Sequence, residues 1–241
     1  MLDKVIDVIQ ENTPTIQLHK VTSESVRLGI LLAIVGGFLD AYTFVGRDGV
    51  FANAQTGNIV LFGAEAAAGN WQQALLSVPP ILAFIIGVII AESLKKTSPF
   101  PFIKDSSRAV LIIEIITLFI IGFIPSTIPN IFVTVTISFV SSLQISAFRK
   151  LVNSPYSTTM VTGNLRTASQ AAYIAFTKKD HASAITAVRY FTVIFAFLIG
   201  AFLGGLATLA LGAKAIFGAV FILLCSLILF IIDEHSLTAN E

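Results

Sequence analysis

Six runs of apolar residues, each close to the length that crosses a bilayer, leave this chain few folds to choose from. A hydrocarbon core of about 30 Å needs roughly 20 helical residues at about 1.5 Å each. The runs are Leu28 to Val45, Val78 to Leu94, Ala109 to Ile124, Ile128 to Phe148, Ala184 to Ala207 and Ala213 to Ile232, with Pro125 to Thr127 as a tight turn between the third and fourth. Lipid offers a backbone no hydrogen-bond partner, so such runs fold as helices and predict an all-α polytopic membrane protein. Only 12% of the 241 residues are charged and the mean hydropathy is +0.87, whereas a soluble domain carries about 25% charged residues. A net charge of +1 gives no basic surface for nucleic acid. A lone cysteine, Cys225, builds neither a disulfide framework nor a thiolate metal site within one chain.

Positive residues are retained on the cytoplasmic side of short loops. Lys4, Lys20 and Arg27 precede the first run; Lys95, Lys96, Lys104 and Arg108 lie between the second and third; Arg149, Lys150, Arg166, Lys178 and Lys179 lie between the fourth and fifth. The opposite loops hold Arg47 and Lys214, and Arg189 lies inside the fifth run. The expected topology therefore has both termini cytoplasmic, in the inner or plasma membrane. Residues 1–24 form a cytoplasmic tail with no cleavable signal pattern, and 233–241 form a second tail.

An internal duplication is written into the loops. Thr56-Gly57-Asn58 recurs as Thr162-Gly163-Asn164, Asp40-Ala41-Tyr42-Thr43-Phe44 aligns with Gln144-Ile145-Ser146-Ala147-Phe148, and Ala83-Phe84-Ile85-Ile86-Gly87 aligns with Ala196-Phe197-Leu198-Ile199-Gly200. The matches keep their order, as duplicated segments do. Residues 25–127 then form the first repeat and 128–232 the second. Each holds three spans, an odd number, so the second enters the membrane upside down relative to the first. If the tripeptide segments also crossed fully, the halves would be parallel, and the basic residues before the first run and those between the second and third could not share a side.

The tripeptide segments read as two short half-helices of about a dozen residues, with Thr56 and Thr162 as N-caps and Gly57 and Gly163 allowing close approach or a bend. Polar stretches precede them, including Asn53 and Gln55 in the first and Thr159 in the second. Short, interrupted helices at corresponding places in two halves point to a transporter site lined by helix N-termini. The competing reading makes both segments ordinary loop helices on opposite surfaces.

Asp40 is costly inside a span, at about 2.5–3.5 kcal/mol near the bilayer centre, unless it reaches water, a partner or a proton. It is a candidate coupling site, with Gln144 as its uncharged counterpart; alternatively it lies near the outer end of its span and faces water or Arg47. Arg189 can snorkel to the cytoplasmic surface or turn inward, and Arg166 follows Asn164 on the second short helix. Glu114 lies some six residues past Arg108, and Glu92 is expected to pair with Lys95 or Lys96 at helical spacing. No zinc, phosphate-loop or hydrolase signature occurs, so neither an enzyme nor a cofactor is expected.

Gly36-Gly37-Phe38-Leu39-Asp40-Ala41, then Phe51-Ala52-Asn53-Ala54-Gln55-Thr56-Gly57-Asn58, then Thr158-Thr159-Met160-Val161-Thr162-Gly163-Asn164 together resemble the YoaK-like family of bacterial inner-membrane proteins, a domain-of-unknown-function family. The resemblance covers nearly all of the chain after about Glu24. Where family members carry Gln-Asn in the fourth span this chain has Gln144-Ile145. The resemblance implies a six-span membrane protein, a transporter, and names no substrate. The expected function is a secondary transporter or facilitator of a small solute, anions included, held by Asp40, Asn53, Gln55, Thr56, Gly57, Asn58, Gln144, Thr159, Thr162, Gly163, Asn164 and Arg166. The alternatives are a scaffold or sensor module, or a channel. Glycine-bearing spans leave homodimerisation open.

Overall fold

The computed structural model describes residues 25–96, 106–125, 127–151, 154–159 and 161–238. The first apolar run is helix α1 (Val26–Gly46). A short helix α2 (Gln55–Ala67) and the six-residue α3 (Trp71–Leu76) precede α4 (Val78–Lys96) and α5 (Ser106–Ile121). Helix α6 (Asn130–Ala147) leads through two paired residues on each side of a small hairpin, β1 (Lys150–Leu151) and β2 (Ser154–Pro155), into α7 (Val161–Lys178). The long α8 (His181–Leu211), one 3-10 turn (Gly212–Ala215) and α9 (Ile216–Thr238) complete the chain.

Four stretches among the described residues are long and apolar enough to cross a membrane: Val26–Gly46, Trp71–Ser93, Asn130–Ala147 and His181–Ile232. The last holds both α8 and α9, so the fifth and sixth runs fall within it. The third run becomes α5, whose 16 residues extend about 24 Å, short of the full core. The N-terminal tail lies outside the described residues. Helix α9 continues to Thr238, so 233–238 of the expected C-terminal tail is helical, and 239–241 lie outside the described residues.

Helix α1 packs against α8 and α9, α6 packs against α4 and α5, and α5 meets α9. Outward faces carry large apolar residues at helical spacing, such as Phe195, Leu198, Phe202 and Leu206 on α8 and Phe221, Leu224 and Ile228 on α9. In water such belts would aggregate; in lipid they need no cover.

Glycines set the closest approaches. A Cβ on Gly37 would lie 2.0 Å from the Phe197 carbonyl oxygen, and one on Gly200 2.0 Å from that of Ile34, so α1 and α8 touch backbone to backbone. Gly87 of α4 meets α6 in the same manner, with Ser142 Oγ at 1.8 Å and the Phe139 carbonyl oxygen at 2.9 Å from its would-be Cβ. Small residues serve this purpose where lipid supplies no hydrophobic drive for helix association.

Candidate functional site

Asp40 lies on the buried face of α1, 5% exposed. Its Oδ1 accepts from the backbone N–H groups of Asn53 at 2.7 Å and Ala54 at 3.3 Å. The carboxylate thus fastens the irregular stretch before α2 onto α1. Two neighbours strengthen the join: Asn53 Nδ2 donates to the Gly36 carbonyl at 3.1 Å, and Ala52 N donates to Thr43 Oγ1 at 3.0 Å. From the other half, Ser138 Oγ of α6 donates to the Ala52 carbonyl at 2.6 Å. The reading in which Asp40 faces water or Arg47 does not hold, because the loop backbone is its partner and the side chain is buried.

Asn58 closes the same loop from the helix side. Its Oδ1 accepts from Phe51 N at 2.8 Å, and its Nδ2 donates to the Phe51 carbonyl at 2.7 Å and to Gln55 Oε1 at 3.0 Å. Gln55 Nε2 in turn donates to the Ala52 carbonyl at 2.8 Å. In the second half Asn164 Nδ2 donates to the Ser157 carbonyl at 2.7 Å. Both asparagines reach the main chain seven residues upstream, so the shared tripeptide encodes the same clamp twice.

This clamp explains why the threonine caps fail. The α2 N-cap is Ala54, without a side-chain cap bond, and Thr56 and Thr162 are exposed residues inside their helices. Asn58 takes up the backbone groups of Phe51, and the helices begin upstream of the threonines. Gly57 is needed, since a Cβ there would lie 2.8 Å from the Phe51 ring, but Gly163 faces open space. Arg166 is exposed. Helix α7 has 18 residues instead of about a dozen, so only α2, with 13, has the expected half-helix length.

The stretch before α7 meets α1 at Gly36, whose would-be Cβ lies 2.6 Å from Thr159 Cγ2 and 3.6 Å from the Thr158 carbonyl oxygen. Tyr156 donates from its hydroxyl to the Gly29 carbonyl at 2.8 Å and ties the 154–159 stretch to α1. Among the described residues several buried side-chain atoms have no hydrogen-bond partner: Asp40 Oδ2, Asn53 Oδ1, Thr158 Oγ1 and Thr159 Oγ1 by this junction, with Ser141 Oγ and Gln144 Nε2 farther along α6 from Ser138. Each such atom, left without a partner, costs about 1–3 kcal/mol. In the sequence alignment of the two Thr-Gly-Asn segments Asp40 lies opposite Gln144, and Asn53 lies five residues before Asn58 as Thr159 lies five before Asn164.

Arg47 follows the last residue of α1, in the loop where sequence counting puts it, but its side chain is buried. It is 4% exposed, donating to Asn130 Oδ1 at 2.8 Å and to the Tyr42 hydroxyl at 2.7 Å, while Tyr42 donates to the Ala213 carbonyl at 3.2 Å. Its spacing of five from Tyr42 was the available signal. Glu92 is paired with Arg149 at the other end of α6; the side chains of Lys95 and Lys96 lie outside the described ones. Arg189 is half-buried. Among the described residues no group of three or more His, Cys, Asp or Glu could hold a metal ion.

Packed apolar helices with lipid-facing belts and a buried polar junction define an integral membrane protein. The chain belongs to the family described as "Protein of unknown function (DUF1275)", which matches residues 28–229. A relative, the UPF0700 transmembrane protein YoaK of Bacillus subtilis (strain 168), is 27% identical over 138 residues, which are 56% of this chain and 61% of that protein. The chain thus spans about three fifths of the length of the relative it matches. No solved structure matches it.

Proposed function

We propose that the protein is a secondary transporter or facilitator of a small polar solute in the cell membrane, built from two inverted three-span halves with both termini cytoplasmic. The observation that carries this reading is the set of unpartnered buried polar atoms at corresponding positions of the two halves. Acceptors come from Asp40 and Asn53; donors come from Gln144, Thr158 and Thr159. A solute with both donor and acceptor edges, carbonyl- or carboxylate-bearing, satisfies both sets. Two helix N-termini favour its negative edge.

Helix pairing supports the inverted repeat. Exchanging the halves turns the α1–α8 contact into the α6–α4 contact and the α1–α9 contact into the α6–α5 contact, and all four are present. Gly87 and Gly200, which align in sequence, each approach a carbonyl of the other half's first helix.

The test uses Thr56→Cys and Thr162→Cys, each in a Cys225→Ala background, in oriented vesicles with a membrane-impermeant maleimide. Transport predicts that both positions are reached from the same side and that both switch side together. Labelling of Thr56→Cys only from outside and Thr162→Cys only from inside would mean two surface loops, a scaffold instead of a transporter.

A further inference from the structure

Glu114 is fully buried, at 0% exposure, and neither carboxyl oxygen has a hydrogen-bond partner among the described residues. It stands in the middle of α5, on the face that also carries Leu111, Leu118 and Ile121, all at 1% exposure or less. That face joins the main apolar core, whose opposing residues include Val133 and Ile137 of α6 and Leu223 of α9. No structural benefit of a carboxyl group is visible here, since a leucine would fill such a site without a desolvation cost.

We propose that Glu114 is a proton-binding site inside the membrane, protonated in this conformation and releasing its proton when α5 shifts against α6 and α9. The surroundings choose the ligand. A hard metal cation needs a shell of about six oxygens, and this face offers leucine and isoleucine. A proton needs one carboxyl oxygen and no cavity.

Among the described residues no charged side chain is placed to neutralise a carboxylate here. Helix α6 has no titratable side chain along Asn130–Ala147. Helix α9 carries Cys225, and beyond its apolar part Asp233, Glu234 and His235. On α5 itself Arg108 lies nearly two turns away, and Lys214 is placed over the Phe123 and Phe217 rings at 5.2 and 5.7 Å. Asp40 differs in kind, because backbone N–H groups hold one of its oxygens.

Coupling of this proton to solute movement rests on the transport reading; proton binding does not. The experiment is infrared difference spectroscopy of the purified full chain in lipid vesicles across about pH 4 to 10, a range that brackets ordinary and raised carboxyl titrations. The wild type should show a protonated-carboxyl C=O band at neutral pH that bleaches at alkaline pH, persists in Asp40→Asn and is absent from Glu114→Gln. A band that survives in Glu114→Gln, or a wild-type spectrum whose carboxyl band is missing at neutral pH or fixed throughout, would overturn the assignment. If Glu114→Gln misfolds, Glu114→Asp takes its place and should shift the band and its titration, an unshifted band overturning the assignment. The wild-type titration can refute it without any variant, and none of these results depends on the maleimide experiment.

Discussion

Replacing Gly200 by alanine would put a methyl carbon 2.0 Å from the Ile34 carbonyl oxygen, where ordinary contact begins near 3.4 Å. The obstacle is backbone, with the Ile34 carbonyl carbon and Cα both at 2.7 Å, so no rotamer relieves it. Helices α1 and α8 would have to part by about 1 Å or more, and gaps of that size forfeit roughly half of the dispersion along a seam. Along the same seam a Cβ on Gly37 would lie 2.0 Å from the Phe197 carbonyl oxygen and one on Gly204 2.5 Å from that of Phe38, so both glycines would lose their fit together with Gly200. Against an overpacking cost of roughly 3–4 kcal/mol stands a helix-propensity gain of about 1 kcal/mol for Gly→Ala. The net expectation is a loss of about 2–3 kcal/mol. Gly205 is the internal control, since a Cβ there meets nothing within 4 Å, and its alanine variant should match or exceed the wild type. Thermal unfolding in mild detergent, followed by a thiol-reactive dye that reports exposure of Cys225, measures both. If Gly200→Ala unfolds at the wild-type temperature, or Gly205→Ala falls as far, close backbone contact is not what joins these helices.

Other expectations follow from single contacts. Asp40→Ala strips the acceptor from Asn53 N and Ala54 N and should cost about 1–3 kcal/mol, whereas Asp40→Asn keeps an oxygen in place and should cost under about 1 kcal/mol; detergent unfolding curves that coincide for the two would contradict the fastening role. Asn58→Ala removes three hydrogen bonds at about 0.6 kcal/mol each in a membrane protein, and faster hydrogen exchange should be confined to the 51–58 segment; uniform exchange across α1 and α4 would argue against a local clamp. Asp180 caps α8, accepting from Ser183 and Ala182, and its hydrogen bonds to Ser183 hold the carboxyl below the ordinary value of 3.8. The native value being the lower one, this stabilisation is complete above about pH 4 and is lost as pH falls through the native value. In acid unfolding, Asp180→Asn should flatten that part of the profile, and an unchanged profile would count against the cap.

The helices were legible because bilayer-length apolar runs admit one backbone solution, and their ends moved by only a few residues. The clamp was half legible: repetition of Thr-Gly-Asn marked the place, but composition could not show that asparagine, not threonine, would serve the loop backbone. A cap is a local bond, while the Asn58 and Asn164 bonds depend on how the preceding seven residues fold back. Asp40 stood out through its cost in lipid, and its true partner, the main chain of Asn53 and Ala54, has no signature in side-chain pattern. Arg47 stands just past α1 as sequence counting places it, but its burial depends on Asn130, far along the chain, which spacing does not reveal. Glu114 was visible as a position, and its lack of any partner needed the packing of α5 against α6 and α9.

Under the inverted-repeat reading, the difference between Asp40 and its counterpart Gln144 matters for mechanism. Were the halves identical, the inward-facing and outward-facing forms of an inverted repeat would be related by exchange of halves and would have equal energy. Asp40 opposite Gln144 breaks that equality, and only the first half can change charge at this position. Each 1.4 kcal/mol of difference shifts the two populations tenfold. Under the transport reading, moving the charge with side-chain lengths preserved, by Asp40→Asn together with Gln144→Glu, should reverse the side from which Thr56→Cys and Thr162→Cys are labelled. Asp40→Asn alone should bring the two sides closer to even. The swap leaves the backbone acceptor at position 40 intact, so a folding defect would show separately as early unfolding. An accessible side that stays the same in a stable double variant would mean that the carboxylate only fastens the loop, and that the preference between the two forms is set by helix packing.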